Sequence, residues 1–190
     1  MLRIFRLVMM SALVLTLSAG CLAPRGDSPE EKRATIQRMK ADTLEYLYHE
    51  RPSAKEVIGK AAGYAVFSNI NALYFFGGGG GGYGVAVNQG SGRETYMRLA
   101  QVGVGVGLGL QDIRLVIVFH SQRAYDDFVT IGWEFGVQAD AAAKARDKGA
   151  SATGELSIDA ETTIYTLTEA GLMAKVNLVG TRYWRDEALN

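Results

Sequence analysis

Few residues in this sequence have side chains that could carry out covalent or metal chemistry. Cys21 is the only cysteine, and His49 and His120 are the only histidines. Neither histidine stands at a spacing from other possible ligands that is typical of a metal site. The adjacent carboxylates Asp126 and Asp127 would point in different directions on a helix, and no G-x-S-x-G nucleophile motif is present. The sequence therefore predicts no metal, no cofactor and no enzymatic activity, and it leaves the Cys21 thiol as the one group to explain.

The segment before Cys21 has the order of a secretory signal. Two arginines, Arg3 and Arg6, are followed by an apolar run over residues 7–17 and then by the small residues Ser18-Ala19-Gly20. The apolar run is shorter than the roughly 20 residues that a membrane-spanning helix needs. Residues 1–20 are therefore predicted to be a signal peptide that is removed from the mature protein.

The residues Leu17-Ser18-Ala19-Gly20-Cys21 resemble the lipobox of bacterial lipoproteins. In that family the cysteine thiol receives a diacylglycerol, an acyl chain such as palmitate is added, and the cysteine becomes the new N-terminus. Ser18 departs from the pattern, because the lipobox more often has an aliphatic residue there. Leu22 stands where inner-membrane lipoproteins often have aspartate, so the resemblance implies a lipid anchor at the periplasmic face of the outer membrane. The alternative is a general secretory signal followed by an incidental cysteine.

The length and charge of the chain restrict its organisation and its partners. A chain of 190 residues suits one domain, and its 20 basic residues equal its 20 acidic residues. This balance gives no reason to expect a nucleic-acid partner. We divide the sequence into a signal peptide (1–20), an acylated tether (21–27) and a single domain (28–190).

Two short helices are predicted at the start of this domain. The first has a capping box formed by Ser28 and Glu31, and its apolar residues recur at spacings of three and four from Ile36 to Leu47. The second helix is predicted to open with another capping box, Ser53 to Glu56, and to end with Gly63 as its C′ residue.

From Tyr64 onward the apolar pattern becomes typical of strands. Ser121 is predicted to cap one helix among them, SQRAYDDFVTIG, whereas WEFGVQADAAAKA fits either a strand or a helix. The predicted fold class is α+β, with N-terminal helices packed on a strongly curved, largely antiparallel, Gly-rich sheet, and closure of that sheet into a barrel is left open. The predicted strands are YAVFSN, NALYFF, YGVAVN, ETYMRLA, RLVIVFH, ELSIDA, TTIYTLT, LMAKVNLV and TRYWR.

Two glycine-rich stretches stand within this region. Gly103, Gly105, Gly107 and Gly109 alternate with aliphatic residues, so on one strand they would share a face that another element could approach closely. The run GGGGGGYG, residues 77–84, is interpreted as a flexible bend or hairpin that enters the strand YGVAVN. A ligand-binding loop is the alternative for that run.

Several segments in order resemble the SYLF domain, a lipid-binding domain of endocytic adaptors and of many bacterial secreted proteins. Residues 61–67 (AAGYAVF) are similar to A-K-G-aliphatic-A-aliphatic-F, and residues 82–85 (GYGV) to G-x-G-aliphatic. Residues 102–128 resemble the block of glycine strand, apolar strand and short helix, and residues 164–183 resemble the closing pattern. The resemblance runs from about Ser53 onward. The glycines that it marks as structural are Gly63, Gly82, Gly84, Gly171 and the four alternating ones.

The resemblance implies a non-catalytic domain that contacts lipid. The W-S-x-P segment of the family is absent, and Met173 stands where the closing pattern usually has phenylalanine. Phosphoinositides and actin, which are associated with eukaryotic relatives, are not expected partners of an exported lipoprotein. The alternative is a structural or protein-interaction module with an envelope protein as partner and with membrane association only through Cys21. The candidate lipid contacts are the basic residues of the first helix, which could equally form an ordinary solvated face: Lys32, Arg33, Arg38 and Lys40.

Overall fold

The fold is described from a computed structural model that covers residues 23–75, 77–103, 107–135, 155–168, 171–172 and 180–190. The chain begins with two helices and continues mostly as strands, with a third helix between the fourth and fifth strands. The helices are α1 (Pro29–Glu50), α2 (Ser53–Lys60) and α3 (Gln122–Ile131). The strands are β1 (Gly63–Phe75), β2 (Gly77–Asn88), β3 (Glu94–Gly103), β4 (Gly107–Phe119), β5 (Trp133–Phe135), β6 (Glu155–Asp159), β7 (Thr162–Thr168), β8 (Gly171–Leu172) and β9 (Thr181–Arg185).

The nine strands form one sheet in which each described pair is antiparallel. Its order is β5-β9-β3-β2-β1-β4-β7-β6, and β8 pairs with β7 beside this path. The predicted α+β class is confirmed. Among the described residues β5 and β6 lie at opposite ends of the order and do not pair with each other, so the sheet is not closed there.

Helix α1 begins as its sequence predicts. Ser28 Oγ accepts a hydrogen bond from the Glu31 N–H at 3.2 Å, and Glu31 Oε2 accepts from the backbone N–H of Asp27 at 2.7 Å. These bonds satisfy donors that the first turn of a helix otherwise leaves unpaired. The predicted apolar stripe is confirmed, and its buried members are Ile36, Met39, Thr43 and Leu47.

The second helix differs from its prediction at both ends. The residue that caps α2 is Pro52, whose backbone is already helical (φ −56°, ψ −32°), and no side chain caps the helix. The predicted capping box from Ser53 to Glu56 is therefore wrong, because Ser53 lies inside the helix rather than before it. Gly63 is not a C′ residue either, since α2 ends at Lys60 and Gly63 is the first residue of β1.

Both faces of the sheet are covered by helices, and we name them after these helices. On the α1 face, five residues in register across β3, β2, β1, β4 and β7 form an apolar row under α1 and α2. On the α3 face, Phe67, Phe119 and Tyr183 pack with α3. Alternate residues of each strand supply the two cores. The row on the α1 face consists of Tyr96, Val85, Val66, Val116 and Tyr165.

The sheet is concave on its α3 face. Phe67 on β1 and Tyr183 on β9 belong to strands that are three places apart in the sheet order. In a flat sheet their backbones would be about 14 Å apart, because neighbouring strands are spaced about 4.8 Å apart. Their ring centroids are nevertheless only 5.0 Å apart. The two rings can meet across β2 and β3 because the sheet bends around them.

Helix α3 lies on this concave face and is capped as predicted. Ser121 Oγ accepts from the Ala124 N–H at 3.1 Å. Tyr125 and Phe128 are buried, and the ring of Phe128 packs against the ring of Phe119 with centroids 4.9 Å apart. Ile131 shares the predicted spacing but is 80% exposed, so it contributes nothing to the core.

Candidate functional site

The predicted lipidation site and signal peptide lie outside the described residues. Cys21 and residues 1–20 are not among them, so acylation stays a prediction. The last part of the predicted tether is described, and it lies against α1. There the hydroxyl of Thr35 donates to the carbonyl oxygen of Arg25 at 2.8 Å.

The four basic residues of α1 do not form a common patch. Arg33 and Lys40 make contacts within the domain: Arg33 Nε donates to the carbonyl oxygen of Leu189 at 2.9 Å, and Lys40 is only 17% exposed. Arg38 is exposed and donates to Thr35 Oγ1 at 3.1 Å, one turn earlier on the same helix. Lys32 and Arg38 therefore remain as the members of the set whose charge can face a partner.

Lys40 belongs to a polar cluster that joins α1 to β3. Its Nζ lies 2.6 Å from Glu94 Oε1, while Gln37 Nε2 donates to Glu94 Oε2 at 2.6 Å and to the Tyr96 hydroxyl at 2.9 Å. The carboxylate of Glu94 thus receives a charged and a neutral donor from one helix face. This arrangement fixes the position of α1 on the sheet.

The prediction that Gly103 to Gly109 lie on one strand is wrong. Gly103 is the last residue of β3 and Gly107 is the first of β4, and β2 and β1 lie between these strands in the sheet. Gly109 lies further along β4, and Gly105 is outside the described residues. Glycine is as compatible with the end of a strand as with its interior. The alternation of glycine and aliphatic residues therefore does not show where β3 ends and β4 begins.

The interpretation of the six-glycine run as a bend or hairpin is also wrong. Residues 77–82 form the first half of β2, and they pair in register with residues 69–74 of β1. The run is therefore a central strand with backbone hydrogen bonding to β1 on one side and β3 on the other. A ligand-binding loop does not fit this position.

Three of the marked glycines allow close approach of neighbouring atoms. A Cβ on Gly84 would overlap the ring of Phe67, and one on Gly82 would overlap the carbonyl oxygen of Ser68. Gly63 lies under the ring of Tyr125, which leaves no room for a side chain. Gly171 is the first residue of β8 and pairs with Thr168.

The bare backbone of β2 also lets polar side chains meet across it. Asn69 pairs with Gly82, and Gln101 pairs with Gly80, so all four residues share the α3 face. Asn69 Nδ2 donates to Gln101 Oε1 at 2.7 Å, although their strands are not neighbours. This pair is not predictable from the sequence, where its only signal is an amide residue, Asn69, at an inward position of β1.

The remaining candidates for chemistry are structural in the part of the chain described. His120 Nε2 lies 2.9 Å from Thr163 Oγ1, which joins the end of β4 to β7. Within that part no three His, Cys, Asp or Glu side chains are grouped so that they could hold a metal ion. Burial raises the pKa of Tyr183 well above its usual range, so this phenol is neutral at physiological pH.

None of the helices in the described ranges combines the length and the apolar character that a membrane crossing requires. The finding concerns α1, α2 and α3 only.

Comparison with known proteins agrees with the ordered motifs. Residues 100–190 match the family model described as Ysc84, Las17-binding protein actin regulator. The chain is also similar to Beta cell expansion factor A of Aeromonas veronii, with 34% identity over 160 residues that cover 84% of this chain and 59% of that relative. It thus spans less than two thirds of the length of that relative. Together with the motifs between residues 61 and 183, these similarities show a domain of the Ysc84/SYLF family in this chain.

Proposed function

We propose that this chain is a non-catalytic envelope lipoprotein whose SYLF domain binds lipid at the periplasmic face of the outer membrane. The observation that carries the anchor is the position of the only cysteine, directly after a signal-like segment and small residues. The observation that carries the lipid-binding domain is membership of the Ysc84/SYLF family. Two or three acyl chains add about 0.8 kcal/mol per buried methylene, which is enough for stable anchoring.

The lipid contact of the domain itself is proposed for the exposed side of α1. Arg33 and Lys40 are held by contacts within the domain, so Lys32 and Arg38 supply the charge that would face an anionic surface. Exposed acidic residues on the same helix reduce the attraction, and a weak, salt-sensitive contact is expected. These acids include Glu30, Asp42 and Glu45.

The anchor is tested by feeding cells a labelled fatty acid and recovering the protein. Label is expected on the parent chain and is expected to be absent from the Cys21→Ala variant. A parent chain without label would overturn the lipoprotein proposal, whatever the domain binds.

The domain contact is tested with the unacylated Cys21→Ala chain and anionic vesicles in a sedimentation assay. Binding should fall when Lys32 and Arg38 are replaced by glutamate, and it should fall with added salt. Lys55→Glu on α2 is the control for either replacement made alone, because it makes the same charge reversal at an exposed position outside the proposed surface. Absence of vesicle binding by the unacylated chain would remove this part of the proposal.

A second candidate function is a protein-interaction module that reaches the membrane only through Cys21. The internal contacts of Arg33 and Lys40 favour it, since they leave few basic groups on α1 for a lipid surface. Recovery of a specific envelope protein by the Cys21→Ala chain, without vesicle binding, would support this candidate over the first.

A further inference from the structure

A groove of about 710 Å³ lies on the α3 side of the sheet, away from α1. It is formed by the turn between β2 and β3, one side of α3, and the residues at the end of β9. Its lining is largely polar and includes Arg93, Tyr125, Asp126, Arg185 and Glu187. None of these residues belongs to the proposed lipid contact.

Two hydrogen-bond donors in this groove are buried and unused. Tyr125 is 3% exposed, and its hydroxyl makes no hydrogen bond of good geometry in the described part of the chain, although Thr95 lies beside it. Arg185 Nε is likewise buried without a hydrogen bond, and its ion-pair contact with Glu187 Oε2 is long, at 3.7 Å. Buried polar atoms without partners are rare in folded proteins, so two in one groove require an explanation.

The acidic groups of the groove do not satisfy these donors. Asp126 Oδ1 accepts a hydrogen bond from Gln122 Nε2 at 2.8 Å. Glu187 is 81% exposed at the rim, where water screens its charge. The donors of the groove are therefore less well satisfied than its acceptors.

Arg93 adds a positive charge at the same place. Its guanidinium has no acidic partner within the described ranges, and its charge acts on the Tyr125 hydroxyl by lowering the pKa, against the larger effect of burial. One polar groove is thus lined by the Tyr125 hydroxyl, the Arg185 Nε–H and the Arg93 guanidinium. This is the donor set that proteins use for carboxylate and phosphate groups.

We propose that this groove is a binding site for an oxyanion, a carboxylate or phosphate group, that is attracted by the charge of Arg93 and accepts hydrogen bonds from the Tyr125 hydroxyl and Arg185 Nε once these buried groups turn toward it. The two carboxylates, Asp126 and Glu187, oppose a high negative charge, so the site favours a singly charged group over a multiply charged one. The oxyanion can be a free small molecule or the phosphodiester of a lipid headgroup. The site does not depend on the α1 contact or on the anchor.

Tyr125→Phe gives a sharp test, because it keeps the buried ring and removes only a hydroxyl that makes no hydrogen bond of good geometry within the described residues. The free energy of unfolding should remain close to that of the parent. Affinity for the oxyanion should fall about tenfold, as expected for loss of one hydrogen bond to a charged group. Arg93→Gln should weaken binding through charge, and Tyr48→Phe, on the α1 side of the sheet, is the matched control that should leave binding unchanged.

Binding is measured by titrating the unacylated full chain with acetate, inorganic phosphate and glycerol phosphate, against chloride at equal ionic strength. The reporter is the set of backbone amide NMR signals of groove residues that no variant changes, such as Thr95 and Gln122. A saturable shift of these signals that Tyr125→Phe and Arg93→Gln weaken supports a free oxyanion. If only phosphatidylglycerol vesicles produce a binding signal that these variants weaken, the oxyanion belongs to a lipid.

The proposal is overturned if no probe gives a saturable response, or if the response is the same in the parent, Tyr125→Phe and Arg93→Gln. The variants of Lys32 and Arg38 distinguish this site from the proposed α1 contact. They should leave the response to soluble oxyanions unchanged, even where they lower vesicle binding.

Discussion

Asn69 and Gln101 form a hydrogen bond of 2.7 Å between two strands, β1 and β3, that have another strand between them. The bond passes over β2 at the point where Gly80 and Gly82 present no side chains. The ring of Phe67 leans over the same strand at Gly84. The glycine-rich half of β2 thus lets side chains of β1 and β3 contact each other across it, and it is not a flexible segment between them.

Gly82→Ala should lower the free energy of unfolding by about 2 kcal/mol or more, because its new Cβ would overlap the carbonyl oxygen of Ser68. The matched control is Gly59→Ala in α2, where a Cβ meets no atom within 4 Å. That change should stabilise the protein by about 0.5–1 kcal/mol. Urea unfolding of both variants measures the difference. Equal stabilities of Gly82→Ala and the parent would show that β2 has room for side chains.

The Asn69 and Gln101 side chains should be energetically coupled. A double-mutant cycle with Asn69→Ala and Gln101→Ala is expected to give a coupling energy of about 1 kcal/mol, the usual net value of such a bond. Each unfolding free energy is measured in urea. Additive effects of the two single substitutions would mean that the bond contributes nothing to stability.

The Lys40–Glu94 pair should contribute more to stability than an ordinary surface ion pair. The Lys40 and Glu94 side chains are 17% and 31% exposed, and Glu94 also accepts from Gln37. Glu94→Gln should therefore cost about 1–2 kcal/mol. Glu56→Gln is the control, because the Glu56–Lys60 pair is about three quarters exposed at both residues and should cost less than about 0.5 kcal/mol. The prediction fails if the two variants unfold at the same urea concentration.

The Glu31 carboxyl in the capping box of α1 should make the free energy of unfolding depend on pH in the acidic range. Backbone hydrogen bonds from Asp27 and Ser28 lower the pKa of Glu31 below its ordinary value of 4.5. A carboxyl with a lowered pKa in the folded state stabilises the protein above its unfolded pKa, and this stabilisation is lost as the pH falls through the folded pKa. Below about pH 4.5 the parent should lose stability more steeply than Glu31→Gln does. Parallel curves of stability against pH for the two proteins would contradict this account.

Ser28→Ala removes the other half of the same capping box. Ser28 Oγ accepts from the Glu31 N–H, so its loss should cost about 1 kcal/mol. Thermal unfolding at neutral pH measures the change. Ser53→Ala is the control, because Ser53 lies inside α2 and its side chain caps nothing there. A similar loss in both variants would argue against a capping role for Ser28.

The sequence predicted the helices better than the glycine segments, for physical reasons. Ser28 and Ser121 cap helices because their side chains bond to backbone groups only three residues away, and such local bonds leave a local pattern. The apolar run from Leu115 to Phe119 is buried throughout, as its composition predicted. Gly77 to Gly82 gave no such signal, because glycine fits turns, strand ends and strand interiors alike.

The candidate sites were less predictable because they depend on distant parts of the chain. In the sequence Lys40 has the pattern of a solvent-exposed basic residue, and only the packing of β3 shows that Glu94 lies beside it. In the sequence Tyr125 has the pattern of a core residue, and only the fold shows that it lines the same groove as Arg185 at the end of β9. Contacts between residues about sixty apart leave no spacing in the sequence, so only the fold shows them.

The bond from Arg33 to Leu189 has a consequence for when this protein can finish folding. These residues are 156 positions apart, and the buried side chain of Leu189 joins the core under α1. During synthesis Arg33 leaves the ribosome long before Leu189 does, so this contact of the first helix forms only after the residues that follow β9 have been made. Until Leu189 has been synthesised, the core under α1 therefore lacks one of its buried side chains and Arg33 lacks its acceptor.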